Sequence, residues 1–185
     1  MSLLSACSKT AQPVRATVFQ SALALPAFSL TDQNGNRLGR DELRGQWSAI
    51  FFGFTHCPDI CPVTLQQLAV ARKRMSETLD EEELPAIVFV SVDPERDDAQ
   101  ALSDYVSAFG RGVVGATAAL NELDMLTKPL GIFHARPPNP EGGYNVDHSA
   151  AIVVINPQAE YHAVFSAPHD IDSLIHDLTL MVTSW

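Results

Sequence analysis

The chain has 185 residues, of which 46% are hydrophobic and 18% charged, the usage of a globular protein with a sizeable core and not of a disordered segment. That length allows one domain with a tail, at about 100–200 residues per domain. Lys and Arg number 12 against 22 Asp and Glu, a net charge of −10, and such a surface repels phosphate backbones and anionic membranes, which excludes a nucleic-acid partner.

Three cysteines need two separate explanations. Leu4-Ser5-Ala6-Cys7 resembles the end of a bacterial lipoprotein signal, in which a Leu and small residues precede the cysteine that is lipidated after cleavage. The reading places the protein in the periplasm or another extracytoplasmic space. Its membrane contact is then a lipid on Cys7, because no apolar run approaches the roughly 18–20 residues of a spanning helix. Residues 8–25 lack a clean period, so residues 1–25 are expected to be a tether and residues 26–185 the folded domain.

Phe28-Ser29-Leu30-Thr31 and a turn at Gly35 predict an N-terminal hairpin. Residues 41–45 read as one helical turn closed by glycine, followed by an apolar run at 47–54 that predicts a central strand. Residues 62–79 predict a helix that holds the cysteine pair in its first turn, and the β-branched run 86–92 predicts a second buried strand. Helices are expected at 97–109 and 118–130, and an irregular Pro/Gly-rich excursion at 133–146 delivers the chain to His148. Residues 149–156 and 161–166 predict a hairpin, and 170–182 a closing helix. This order is the thioredoxin pattern with one added helix: an α/β fold with a central mixed sheet flanked by helices and an N-terminal hairpin extension.

Cys57 and Cys61 lie four apart where an apolar strand hands over to a helix. Helix-start N–H groups favour a thiolate, which both metal binding and thiol redox chemistry require. Two soft sulfurs with an imidazole suit copper, including Cu(I); zinc is chemically possible, but a structural zinc site closes with four ligands. A structural disulfide would close too small a loop to stabilise much.

The run Phe51-Phe52-Gly53-Phe54-Thr55-His56-Cys57-Pro58-Asp59-Ile60-Cys61-Pro62 resembles the signature of the Sco/SenC copper chaperones. Val90-Ser91-Val92-Asp93-Pro94-Glu95-Arg96-Asp97 and Val146-Asp147-His148-Ser149 match that family's second and third signatures in order. The resemblance implies a thioredoxin-like fold and a copper ion, Cu(I) or Cu(II), on Cys57, Cys61 and His148. It also implies a role in building the binuclear copper centre of cytochrome c oxidase, with the oxidase's copper-binding subunit as partner. Asp93, at the end of a parallel strand, and Asp147, beside the histidine, are expected to orient the site or face the partner; His56 is expected to point away from it. The hairpin departs from the family pattern in carrying Pro157-Gln158-Ala159 where a glycine is usual. The rival reading is a thiol-disulfide reductase in which Cys57 and Cys61 are the redox-active pair, recharged by a thioredoxin-like reductant.

Overall fold

The computed structural model describes residues 12–185, so the reading of Cys7 lies outside the described residues. In chain order the elements are β1 (Ala16–Ala24), β2 (Ser29–Asp32), β3 (Arg37–Gly39), a 3-10 turn (Asp41–Leu43), β4 (Ser48–Gly53), α1 (Ile60–Met75), β5 (Ala86–Ser91) and α2 (Ala99–Ser107). They continue with β6 (Val113–Thr117), α3 (Leu120–Thr127), β7 (His134–Ala135), β8 (Asp147–His148), β9 (Ile152–Ile155), β10 (Glu160–Phe165) and α4 (Ile171–Thr183). Eight strands make one mixed sheet in the order β1-β10-β9-β4-β5-β6-β2-β3, and β7 and β8 pair separately. The expected thioredoxin-like architecture is present.

Strand β4 is buried along its whole length because both faces of the sheet are covered, and its alternation divides the core. Ala49 and Phe51 face Leu65 and Leu68 of α1, Leu102 of α2 and Leu178 of α4. Ile50 and Phe52 face Leu123 and Leu126 of α3 and Leu30 of the hairpin. Burying each of the two phenylalanine rings stabilises the fold by roughly 1.5–3 kcal/mol. Strands β4, β5 and β6 run parallel, joined through α1 and α2, while β9 returns antiparallel against β4. The C-terminal ends of β4 and β5 therefore share one edge, the edge at which open α/β sheets gather ligands.

Three expectations are corrected. Residues 16–24, read as tether, form edge strand β1 on β10; half exposed and interrupted by a register shift, it carries no clean two-residue alternation. Strand β6 was not anticipated, because Gly115 breaks its apolar pattern. Gly115 is required where it stands: a Cβ there would lie 2.9 Å from Val106 Cγ1 of α2. Helix α1 begins at Ile60 and stops at Met75, so Cys61 is in its first turn and Cys57 precedes it. The hairpin without the family's glycine still turns: Ala159 takes φ 59°, and the buried Asn156 accepts from the N–H groups of Gln158 and Glu160 at 3.0 and 2.9 Å.

Strand β1 is anchored by a residue no motif flagged. Asp177 of α4 is fully buried, and its carboxylate accepts the N–H groups of Val14, Arg15 and Ala16 at 2.7, 2.8 and 2.7 Å. Burial pushes this carboxyl up, but His176 and the three backbone donors outweigh it and hold it below its ordinary 3.8. A carboxyl depressed on folding adds stability that is full above its unfolded value and is lost as the pH falls through its folded one, so the anchor should weaken below about pH 4. Asp177→Asn turns an NH2 toward those donors and is expected to cost about 2–4 kcal/mol in urea unfolding at neutral pH. An unchanged unfolding midpoint would contradict this account.

Candidate metal centre

The site is assembled where β4 ends. Phe54 accepts the Cys57 N–H at 3.2 Å, closing a turn that leads into α1. Asp97, completely buried, holds this turn by accepting the Thr55 N–H at 2.8 Å and the Thr55 hydroxyl at 2.6 Å, and it accepts the Ser91 hydroxyl from β5. Sequence reading missed this role, although Asp97 closes the second signature quoted above. His56 is largely exposed and has its Nδ1 3.0 Å from Thr55 Oγ1 and 3.6 Å from Asp97.

Cys57 and Cys61 are both free thiols, Cys57 half-buried and Cys61 buried. The Cys61 N–H points at Cys57 Sγ at 3.4 Å. Gly53 makes room for the second sulfur, because a Cβ there would sit 2.6 Å from Cys61 Sγ. His148 arrives from β8 with Nε2 3.3 Å from Cys61 Sγ, although 87 residues separate the two in sequence. The two sulfurs and the imidazole nitrogen lie within 4.8 Å of one another.

The imidazole is oriented twice over. Its Nδ1–H donates to the Ser149 carbonyl at 3.1 Å, which leaves the Nε2 lone pair facing the sulfurs. Its ring stands edge-on to Phe51 and Phe54, with centroids 6.0 and 5.8 Å away. Burial lowers the His148 pKa from 6.5, only partly opposed by the Ser149 carbonyl and the Asp147 charge, so the ring is neutral and ready to coordinate at pH 7. Burial raises the Cys61 pKa, and nearby Cys57 and Asp97 push the same way. Helix-start stabilisation of a thiolate, expected at both cysteines, is thus overridden at Cys61, whose proton must leave when a metal arrives. A thiophilic ion binding at pH 7.5 should release at least one proton from the thiols and none from His148. Calorimetry in buffers of different ionisation enthalpy measures this, and binding without proton release would contradict the placement of Cys61 in the site.

The two carboxylates from the sequence reading go to different places. Asp93 is buried and bonds Tyr144 and Arg96; none of its bonds reaches the thiols or the imidazole. Asp147 is exposed beside His148, opposite Ala135 across the β7–β8 pair. The open cleft at the site is lined in part by apolar Phe54, Pro58, Ile60, Val146 and Ala150, of which Ile60 is 46% exposed. Phe133 exchanges hydrogen bonds with Ser149, the neighbour of His148. Among the described residues no helix is long and apolar enough to cross a membrane.

Known proteins share this sequence and fold. The profile of the family described as SCO1/SenC matches residues 17–183. The Arabidopsis thaliana protein named Protein SCO1 homolog 1, mitochondrial, is 35% identical over 147 residues, which are 80% of this chain and 43% of that protein. A putative copper-binding protein of Stutzerimonas stutzeri is 35% identical over 153 residues, 82% of this chain and 73% of its own length. The chain thus spans less than half of the plant relative and about three quarters of the bacterial one. The crystal structure of Arabidopsis thaliana ScoI with copper bound superposes with a TM-score of 0.78 at 32% identity, covering 86% of this chain and 98% of that one. With the family profile running from β1 to the end of α4, and with relatives above 30% identity along most of its length, the chain belongs to the SCO1/SenC family.

Proposed function

We propose that the protein is a copper carrier that takes up one ion on Cys57, Cys61 and His148 and delivers it to the copper-binding subunit of cytochrome c oxidase. The observation that carries this reading is the convergence of two sulfurs and a bare imidazole nitrogen within 4.8 Å at an edge of the fold. Two thiolates and one imidazole are soft enough for Cu(I), and the nitrogen also suits Cu(II). Three donors hold an ion but leave it open to attack by a client's ligands, so copper passes by stepwise ligand exchange. The related proteins described as copper-binding or copper-bound support the choice of metal. Exposed Ile60, with Pro58 and Val146 beside it in the cleft, gives a client protein an apolar surface to meet, with Asp147 as a carboxylate facing it. The protein works outside the cytoplasm, the segment before β1 tethering the domain to a lipid on Cys7.

A second reading has its own observation: a half-buried Cys57 stands in front of a buried Cys61. In that reading the Cys57 thiolate attacks a client disulfide and releases one client thiol. Cys61 then displaces the second, leaving a Cys57–Cys61 disulfide that a thioredoxin-like reductant reopens. The readings separate in cells whose only copy carries His148→Ala. The carrier reading expects oxidase copper content to fall as far as in cells carrying Cys57→Ser; unchanged content would overturn it in favour of the reductase.

A further inference from the structure

Beside the metal centre lies a group of buried and stacked side chains that copper coordination does not itself use. Asp93, in the loop after β5, is 0% exposed. Its carboxylate accepts the Tyr144 hydroxyl at 2.7 Å and the Arg96 Nε–H, with Arg136 Nη1 3.8 Å away. The Arg96 guanidinium lies 4.5 Å from the centroid of the Tyr144 ring and 5.7 Å from that of Phe54. Arg136 sits 5.4 Å from the same tyrosine ring and pairs with Glu95 at 2.9 Å. Asp93, Glu95 and Arg96 belong to the segment after β5, whereas Arg136 and Tyr144 belong to the long loop between β7 and β8. The cluster therefore fastens one segment to the other.

The fastening matters because His148 stands on a small two-stranded arm that does not pair with the main sheet. Strands β7 and β8 are two residues each, with His134 opposite His148. The loop between them runs through Pro137, Pro138, Pro140, Gly142 and Gly143; its own bonds, a bridge between Pro138 and Tyr144 and the Asn145 N–H on the Pro137 carbonyl at 2.9 Å, join the two sides of the arm to each other and do not by themselves seat it on the segment after β5. Tyr144 stands four residues before His148 and is tied to a buried charge. The ring of His148 refers to the same charge by another route, since Phe54 stands edge-on to the imidazole and has the Arg96 guanidinium 5.7 Å from its own ring centroid. A buried carboxylate is costly unless its acceptor sites are filled. Here Tyr144 and Arg96 fill them, so lifting the loop away would leave Asp93 short of a donor.

We infer that Asp93 is a positioning residue of the metal centre, acting through Tyr144 and Arg96 to keep His148 Nε2 against the two sulfurs. The consequence for copper rests on the carrier reading above, while the effect on the loop is a property of the metal-free protein. With the loop fastened the ion meets three donors; with the loop lifted it keeps only the two thiolates, and the latch sets how tightly copper is retained.

Tyr144→Phe tests this with little perturbation, since it keeps the ring and its stacking and removes only the hydroxyl; Asp93→Asn is the second variant. In the reduced, metal-free protein, hydrogen exchange of residues 144–149 should quicken by about 10-fold or more in both variants, with β4 and β5 unchanged. In protein loaded with one equivalent of Cu(I), loss of copper to a chelator should quicken by about 10–100-fold, the range typical of residues that orient a ligand. The rate at which Cys57 and Cys61 form a disulfide should stay as in the unsubstituted protein. Unchanged exchange at 144–149, a uniform rise across the fold, or faster exchange without faster copper loss would each overturn the inference. Failure of the unsubstituted protein to bind copper would instead overturn the carrier reading, and the positioning role with it.

Discussion

His148→Ala is expected to lower copper affinity by more than about 100-fold and to leave disulfide formation between Cys57 and Cys61 nearly intact. Residues that merely orient a ligand are typically worth 10–100-fold, and this substitution removes a donor outright. The imidazole is a metal donor and not the nucleophile, and its loss takes away a neighbour 3.3 Å from Cys61 Sγ without touching either thiol. Chelator competition under anaerobic conditions reads the first quantity and thiol trapping after mild oxidation reads the second. Affinity within a factor of about three of the unsubstituted protein would remove His148 from the ligand set.

Gly53→Ala should damage the site without touching a donor. A methyl group there would lie 2.6 Å from Cys61 Sγ and 2.9 Å from Phe89 Cε2, both inside contact distance, and both neighbours are completely buried. Cys61 is held on α1 and Phe89 in the middle of β5, so neither has a free direction in which to retreat. Overpacking of this kind costs about 1–3 kcal/mol of stability. The sulfur that yields also leaves the reach of His148, so copper affinity should fall by at least about 10-fold in protein that is still folded at 25 °C. The glycine is therefore explained by the thiol behind it and not by a turn. A variant with native stability and native affinity would contradict that explanation.

Much of this was legible in the sequence because period and punctuation agreed. The runs that became β4 and β5 are bounded by glycine or proline and apolar throughout, as strands covered on both faces must be. The first and third signature blocks carry the three residues proposed as donors, and folding brings His148 to within 4.8 Å of the two sulfurs from the far side of the chain. What the sequence did not reveal depends on contacts across the fold. Strand β1 lacks alternation and holds its place through Asp177, more than 160 residues away. Strand β6 hides behind a glycine that exists for α2. The buried state of Cys61, which reverses the expectation of an easily formed thiolate, follows from the packing of β4, α1 and β8 and from no local pattern. Asp93 was noticed, but its partners Tyr144 and Arg136 come from a stretch whose composition reads only as loop.

The most direct test of the central claim is X-ray absorption at the copper edge on reduced protein loaded with one equivalent of Cu(I). The account predicts two sulfur neighbours and one imidazole nitrogen, with one sulfur lost in Cys57→Ser and the imidazole scattering lost in His148→Ala. A copper ion surrounded by oxygen and nitrogen alone, or imidazole scattering that survives in His148→Ala, would contradict it.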